Sequence, residues 1–291
     1  MINFETELEE KIELINNELK KQLKVDYPEI VWEAMRYSVF SDGKRIRPVI
    51  LLAVCQALGG KTAQALPFAC ALEMIHTYSL IHDDLPAMDD DDIRRGGPSN
   101  HIVYGEAMAT LAGDALLNRA FEIMANYCVF DNNLNNIQAM AKIAKYAGAY
   151  GMIGGQVMDV RLEGANPTEQ ELEYVYTNKA AKLFMAAFGA GAHIAGANNN
   201  AVSNLENIGQ QLGIAFQIKD DLLDLSGSPV FGKPPGSDEK NKKSTYVSVF
   251  GAERAEELFT QLSASTIDGI KNLPNSMFLV GLFEKMIHRV K

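Results

Sequence analysis

The sequence is poor in cysteine and shows no cysteine spacing that would indicate disulfides or a zinc site. Its 291 residues include only Cys55, Cys70 and Cys128, which are scattered along the chain. An odd number of cysteines without a short spacing fits neither a disulfide framework nor a metal-binding cluster. We therefore expect three small buried thiols.

Long apolar runs and a secretory signal are also missing. A membrane-spanning helix needs about 18 or more consecutive apolar residues, and no such run occurs in the sequence. The segment from Met1 to Lys24 is charged throughout, which is not typical of a signal peptide. These absences predict a cytoplasmic protein without a membrane span.

Glycine-rich phosphate loops and strand patterns are absent too. Neither the P-loop motif nor the dinucleotide-binding glycine motif is found, and alternating patterns between tight turns are missing. The formal net charge of -10 argues against nucleic acid as a partner. It leaves room for anionic small molecules, which local basic clusters or bound cations can hold.

Helical periodicity dominates what is present. The first helical pattern places its apolar residues on one face, and these are Leu8, Ile12, Ile15, Leu19 and Leu23. A further helical pattern runs through Leu72, Ile75, Leu80 and Ile81, and others lie near 104–129, 135–154, 168–196, 202–226, 247–266 and 276–290. Thr168 and Glu171 are spaced as a helix-capping box. The sequence therefore predicts an all-α protein, with residues 1–291 as one domain.

Two long irregular segments, near 84–101 and 227–245, interrupt the helices, and loops of this length are usually functional. The first contains a dense acidic cluster directly after an apolar helix, formed by Asp83, Asp84, Asp89, Asp90, Asp91 and Asp92. Most charge runs are solvated surfaces. Here the first two carboxylates stand at a helix C-terminus, where the dipole disfavours negative charge, so a compensating cation is expected. Carboxylates at this density suit Mg²⁺ or Mn²⁺.

A second acidic cluster lies within a helical pattern. Asp220 and Asp224 are one turn apart and share a face, and Gln217 stands three residues before Asp220. The repulsion between like charges at this spacing is explained either by a shared metal or by a chance surface pair. Two acidic clusters on separate helices can face each other and hold several metals around one diphosphate.

Basic residues that could bind an anion stand in the turn Asp42-Gly43-Lys44-Arg45-Ile46-Arg47-Pro48. This turn leads into a helix, whose N-terminus favours phosphate, and arginine offers two parallel donors. His76 lies two helical turns before Asp83, on a similar face, although a lone helical histidine is more often structural. Isolated lysines at 179, 233 and 243 are further candidates, although such lysines are usually solvated.

Taken in order, these motifs resemble those of trans-isoprenyl diphosphate synthases, specifically of the bacterial farnesyl diphosphate synthase type. The resemblance covers nearly the whole chain. It rests on Gly43-Lys44-Arg45-Ile46-Arg47-Pro48, His82-Asp83-Asp84-Leu85-Pro86-Ala87-Met88-Asp89, Arg94-Arg95-Gly96, Gly154-Gly155-Gln156 with Asp159, Lys179, Phe216-Gln217 with Asp220-Asp221-Leu222-Leu223-Asp224, and Lys243-Ser244-Thr245-Tyr246.

The resemblance implies an isoprenoid synthase fold, a bundle of long, mostly antiparallel helices around a deep central cavity, in a homodimer. It implies about three Mg²⁺ ions, with Mn²⁺ as an alternative. The implied metal ligands are Asp83, Asp84 and Asp89 from one wall and Asp220, Asp221 and Asp224 from the other. The residues implied to aid allylic diphosphate binding are Arg94, Lys179, Gln217, Lys233 and Lys243. Those implied for isopentenyl diphosphate are Lys44, Arg47, His76 and Arg95.

The implied reaction is a head-to-tail condensation in which the allylic diphosphate ionises and the double bond of isopentenyl diphosphate attacks. The implied catalytic set is Asp83, Asp84, Asp89, Arg94, Lys179, Gln217, Asp220 and Lys233. Tyr78 and Ser79, five and four residues before Asp83, would set product length. The bulk of Tyr78 indicates farnesyl diphosphate, with geranylgeranyl or geranyl diphosphate as the alternative.

The chain departs from the family pattern at three positions. Ala180 stands where threonine is usual, Asp42 where glycine is common, and Gly97 where lysine is frequent. None of these positions is an expected metal ligand, so we expect activity. A terpene cyclase, a head-to-head synthase, a phosphohydrolase and a non-catalytic subunit are rival interpretations. The basic turn argues against the first two, and the presence of both acidic clusters argues against the non-catalytic subunit. The phosphohydrolase stays open and would release phosphate from simple esters without isopentenyl diphosphate.

Overall fold

The computed structural model describes residues 3–225 and 244–288, and the regular structure in these ranges is almost entirely helical. The helices are α1 (Phe4–Gln22), α2 (Glu29–Val39), α3 (Ile46–Ala57), α4 (Thr62–Asp83), α5 (Asn100–Tyr104), α6 (Glu106–Phe130), α7 (Leu134–Ala147), α8 (Met152–Arg161), α9 (Glu169–Val175), α10 (Lys182–Ile194), α11 (Asn199–Leu225), α12 (Tyr246–Phe250), α13 (Ala252–Lys271) and α14 (Met277–Ile287). A π-helical turn, Tyr176–Ala181, joins α9 to α10. The prediction of an all-α protein is confirmed.

The first helix shows how the apolar pattern becomes structure. Leu8, Ile15 and Leu19 are buried in the main core, and acidic residues occupy the first turn of α1. Two lysines stand in its last turn, so both helix ends carry charges that complement the helix dipole. The predicted apolar face of α1 is confirmed.

Helices α4 and α10 lie at the centre of the bundle. Both are buried over most of their length, as expected for helices that are apolar on nearly every side. Helix α4 packs against α3, α6 and α10, and α10 packs against α3, α7 and α11. The acidic cluster at the end of α4 therefore begins where a deeply buried helix reaches the surface of the core.

A smaller hydrophobic cluster supports the second acidic segment. It joins α9, α11, α12 and α13 through Leu172, Val175, Tyr176, Ile218, Tyr246 and Ala255. Because Ile218 is fully buried in it, the neighbouring polar residues of α11 are fixed in direction.

The structure departs from the sequence pattern at a short β-ladder and at breaks within the predicted helices. The segment 84–101 contains a short antiparallel ladder of β1 (Ile93–Arg94) and β2 (Gly97–Pro98), which is too short to produce an alternating pattern. The pattern over 135–154 is broken between Ala147 and Met152, where the chain leaves α7 and enters α8. The capping box at Thr168 and Glu171 is confirmed.

The cysteines are buried free thiols, as expected, and burial raises the pKa of Cys55 to about 11. Within residues 3–225 and 244–288, no helix combines enough length and apolarity to cross a bilayer. Most of the second long loop lies outside the described residues. That residues 1–291 form one domain stays a prediction.

Candidate active site

The first acidic cluster is built on the C-terminal end of α4. Asp83 is the last residue of the helix and Asp84 is its C-cap, with 2% of its surface exposed. The chain then folds back, since the Asp89 backbone N–H donates to the Asp83 carbonyl oxygen at 2.9 Å. This bond satisfies a carbonyl that the helix leaves without a helical partner, and it places Asp89 beside the helix end.

Arg94 supplies the positive charge that the helix end requires. Its Nε lies 2.9 and 3.1 Å from the two carboxylate oxygens of Asp84, and its Nη2 also bonds Oδ1. The same Nη2 is 3.6 Å from Asp91 Oδ2. The expectation of a compensating cation at this position is confirmed.

The short β-ladder orients the side chains of two adjacent arginines in different directions. Arg94 belongs to β1, whereas Arg95 and Gly96 form the connecting turn with positive φ angles of 53° and 78°. Arg95 reaches the other side, where its Nη1 lies 3.3 Å from Ser41 Oγ. One turn therefore provides a cation to the acidic cluster and another to the basic turn before α3.

Lys179 faces the first acidic cluster from the π-helical turn. Its Nζ lies 2.5 Å from Asp159 Oδ2 on α8. Burial lowers the pKa of this lysine, but Asp83, Asp159 and Asp89 raise it more, so it ends well above its ordinary value and the ammonium stays charged. Gly155 makes the approach possible, because a Cβ there would lie 2.2 Å from the Lys179 backbone nitrogen.

Asp159 was missing from the predicted site residues. The sequence contained a signal, since Asp159 follows the Gly154-Gly155-Gln156 motif. Nothing in that local pattern indicates its partner, because Lys179 lies 20 residues away and is brought near by the packing of α8 on the π-helical turn.

The second acidic cluster lies on α11. Asp220 and Asp224 are half-buried, whereas Asp221 is only 4% exposed. The Asp221 Oδ2 accepts hydrogen bonds from the Tyr176 hydroxyl and from the Tyr246 backbone N–H at 3.3 Å. Asp221 therefore ties α11 to the π-helical turn and to α12.

Gln217 is hydrogen-bonded to the second acidic cluster. Its Nε2 donates to Asp221 Oδ1 at 3.1 Å, one helical turn along. Both oxygens of Asp221 therefore already accept hydrogen bonds. A role for Asp221 as a metal ligand stays a prediction, as do the roles of the other site residues.

We call the four residues predicted to bind the second diphosphate, Lys44, Arg47, His76 and Arg95, the cationic site. Arg47 Nη1 is 3.2 Å from His76 Nε2, and its guanidinium lies 4.5 Å from the centre of the Phe184 ring. Because arginine only donates, Nε2 is the acceptor and the proton of a neutral His76 resides on Nδ1. Burial, and then the charges of Arg47 and Arg95, hold the pKa of His76 well below its usual range.

The predicted chain-length residues lie inside the protein. Tyr78 is buried, its ring meets that of His82 edge-on at 5.7 Å, and its hydroxyl has no hydrogen-bond partner in the described part of the chain. Burial, with the charge of Asp83, raises the pKa of Tyr78 to about 12. Ser79 donates to the His76 carbonyl oxygen at 2.9 Å.

The two acidic clusters suit a hard cation by the chemistry of their donors, which are all carboxylate oxygens. No group of three or more His, Cys, Asp or Glu side chains among residues 3–225 and 244–288 is arranged to hold a metal alone. The candidates Lys233 and Lys243 lie outside the described residues.

Comparison with known proteins identifies the class. The polyprenyl synthetase family model matches residues 28–272. The chain is 43% identical over 261 residues to the farnesyl diphosphate synthase of Geobacillus stearothermophilus, covering 88% of this chain and 87% of the relative. It is 41% identical over 263 residues to the chloroplastic geranylgeranyl pyrophosphate synthase of Capsicum annuum, covering 90% and 71%.

Solved structures agree with the sequence comparison. An apo FPP/GFPP synthase from Zymomonas mobilis superposes with a TM-score of 0.85 at 31% identity and covers 98% of both chains. A geranyltranstransferase from Thermotoga maritima gives 0.84 at 31% identity, with 96% and 97% covered. The chain therefore belongs to the polyprenyl synthetase family. The resemblance to trans-isoprenyl diphosphate synthases and the isoprenoid synthase fold are confirmed.

The buried neutral His76 predicts a pH dependence of stability. In the unfolded chain the pKa of His76 returns to about 6.5. Below that pH the unfolded state therefore binds a proton at His76 that the folded state does not bind. Stability therefore falls as the pH is lowered. We expect His76→Gln to lose less thermal stability than the unsubstituted protein between about pH 7 and pH 5. Thermal unfolding without ligands measures this.

The matched control is His288→Gln, because His288 is exposed at the end of α14. It should lose as much stability on acidification as the unsubstituted protein. Equal losses in His76→Gln and in this control would contradict the neutral state of His76.

Proposed function

We propose that the protein is a short-chain prenyl diphosphate synthase that condenses isopentenyl diphosphate with dimethylallyl or geranyl diphosphate to give farnesyl diphosphate. The observation that carries this proposal is that two groups of charged side chains with different chemistry are served by the adjacent residues Arg94 and Arg95. One consists of carboxylates with Arg94 and Lys179, and the other is the cationic site. Relatives named as farnesyl diphosphate synthases, at 43% and 45% identity, support the same activity.

The allylic diphosphate belongs at the acidic side. The proposed metal ligands are Asp83, Asp84, Asp89, Asp220, Asp221 and Asp224, which would hold about three Mg²⁺ ions. When bound, such cations neutralise the charge that develops on the departing diphosphate. Lys179 and Arg94 would contact the diphosphate oxygens directly, together with Gln217, Lys233 and Lys243.

Isopentenyl diphosphate belongs at the cationic site. Arginine guanidinium groups bind diphosphate oxygens through parallel hydrogen bonds, so no metal is required there. The neutral His76 adds a donor at Nδ1. Since Arg94 and Arg95 are adjacent on one tight turn, the two diphosphates would be held close together, with their tails directed into the helical bundle.

The reaction then needs no protein nucleophile. The bond between the allylic carbon and its diphosphate oxygen breaks, and the electron pair leaves with the diphosphate. The double bond of isopentenyl diphosphate forms the new carbon–carbon bond, and the released diphosphate takes the proton that is lost. The charged ammonium of Lys179, kept protonated by Asp159 and Asp83, stabilises the leaving group.

The length of the prenyl product depends on the depth of the cavity that receives the growing chain. The buried aromatic ring of Tyr78, one turn before the acidic cluster, supports a short cavity and hence a farnesyl product. Some relatives are named as geranylgeranyl synthases, so geranylgeranyl diphosphate is the main alternative, with geranyl diphosphate as the other.

A homodimer is also proposed. Support comes from exposed apolar side chains on α5, α6 and α8, which are Ile102, Val103, Leu111, Ile153, Val157 and Val160. Uncovered apolar groups of this kind favour association. Location in the cytoplasm stays a prediction from the sequence.

The first experiment tests the condensation itself. The purified protein is incubated with Mg²⁺, isopentenyl diphosphate and geranyl diphosphate, and the product is identified by mass. We expect farnesyl diphosphate and its loss when Mg²⁺ is chelated. Release of inorganic phosphate without a carbon–carbon bond would instead favour a phosphohydrolase, and the absence of any product would refute the proposal.

The second experiment tests the role of Tyr78. Replacing the ring in Tyr78→Ala removes the proposed floor of the cavity, so longer prenyl diphosphates should accumulate. Tyr150→Ala, which removes a tyrosine ring that is exposed to solvent, is the matched control and should leave product length unchanged. An unchanged chromatographic profile in Tyr78→Ala would rule out the floor role.

The third experiment tests the association of two chains. Light scattering of the purified protein should give twice the mass of one 31.9 kDa chain. A charged substitution at one of these exposed apolar positions, such as Leu111→Glu, should shift the mass towards one chain. A monomeric mass for the unsubstituted protein at micromolar concentration would exclude the homodimer.

A further inference from the structure

Arg45, which follows Lys44 in the basic turn, is buried, whereas Lys44 is exposed and Arg47 is half-buried. Arg45 is the N-cap of α3 and adopts a left-handed backbone conformation, with φ of 51°. Its side chain points inward and is buried, so that 4% of the residue is exposed. Arg45 therefore does not join its neighbours in the cationic site.

The guanidinium of Arg45 is held by three separate helical segments. Its Nη1 lies 2.9 Å from Glu73 Oε1 on α4, and its Nε lies 2.9 Å from Asn16 Oδ1 on α1. Its Nη2 donates to the Val39 carbonyl oxygen at the end of α2 at 2.5 Å. The backbone of the basic turn is thereby anchored to the core of the bundle.

Glu73 is the carboxylate of this anchor and is 1% exposed. It precedes His76 by three residues on α4, so the anchor and one member of the cationic site share a helical turn. Glu73 also acts on Arg95: burial lowers the pKa of Arg95, and Glu73 is the foremost of the charges that raise it.

Arg45 and Arg95 approach each other closely beside the turn. A Cβ added to Gly43 would lie 2.5 Å from Arg45 Nη1 and 2.8 Å from Arg95 Nη1. Two guanidinium groups in this space repel each other, and burial strengthens the repulsion. The buried carboxylate of Glu73 offsets it.

We propose that Glu73 is a positioning residue for the cationic site, acting through Arg45 to fix the basic turn and through its charge to hold Arg95 beside that turn. Glu73 itself touches neither diphosphate in this arrangement. The inference rests on the proposed function, because it assigns the cationic site to isopentenyl diphosphate.

The direction in which substitution of Glu73 changes the affinity for isopentenyl diphosphate distinguishes a positioning role from a simple effect of its charge. Removing a carboxylate next to arginines makes the local potential more positive, which by itself strengthens the binding of an anion. Loss of positioning weakens binding instead, since small misplacements of binding groups are costly. The two mechanisms therefore predict opposite changes in affinity.

The experiment measures equilibrium binding of isopentenyl diphosphate by calorimetry, without divalent metal and without the allylic substrate. For Glu73→Gln we expect affinity to fall about tenfold or more. In steady-state assays, KM for isopentenyl diphosphate should rise by a similar factor, while KM for geranyl diphosphate changes by less than about twofold. A general loss of stability would not separate the two substrates in this way.

The matched control is Glu206→Gln. Glu206 is also a buried carboxylate paired with a cation, at 2.8 Å from Lys142 Nζ on α7, and it is not among the charges that act on His76. It should leave the affinity for isopentenyl diphosphate unchanged.

Removal of one partner from a buried ion pair can prevent folding, so a second variant is needed. The double substitution Arg45→Met with Glu73→Leu removes both charges, keeps apolar volume and leaves the net charge unchanged. We expect it to fold and to bind isopentenyl diphosphate about tenfold more weakly as well.

Unchanged or tighter binding by either folded variant would overturn the inference. If the unsubstituted protein itself binds no isopentenyl diphosphate, the proposed function fails. That result is distinct from failure of the role of Glu73, which requires normal binding by the unsubstituted protein.

Discussion

Negative charge at the C-terminal end of a buried helix is the constraint on which the site depends. Asp83 and Asp84 lie at the negative end of the dipole of α4, and Asp84 is almost fully buried. Such carboxylates are stable only with nearby cations. Arg94 and Lys179 provide them, and each is aimed by an unusual local conformation, a tight β-turn in one case and a π-helical turn in the other.

Helix α4 also sets the distances between the parts of the site. Glu73, His76, Tyr78 and Asp83 follow one another on a single rigid, buried helix, at an axial rise of 1.5 Å per residue. The basic anchor, the cationic site, the proposed floor and the acidic cluster therefore keep a fixed order. Because α4 is packed between several other helices, movement of a surface loop would leave the spacing of these four residues unchanged.

Local patterns in the sequence were sufficient for the helices and for the two acidic clusters, because periodicity and charge density are visible within a few residues. Partners that are distant in sequence could not be inferred in this way. The contacts of Arg45 with Glu73 and of Tyr176 with Asp221 join residues 28 and 45 positions apart. The hydrogen bond between Gln217 and Asp221 could not be predicted either, because helical spacing places both Asp220 and Asp221 close to Gln217.

The π-helical turn has a consequence for how this protein can change over evolution. Each residue of a helix advances the facing direction by about 100°, so the wider turn shifts the phase between α9 and α10. Deleting one residue there would restore regular α-helical hydrogen bonds and would rotate Lys179 relative to α10. A regular α-helix in this segment would therefore misplace the ammonium group of Lys179. For this reason we expect the segment to tolerate insertions and deletions less well than an ordinary helix junction.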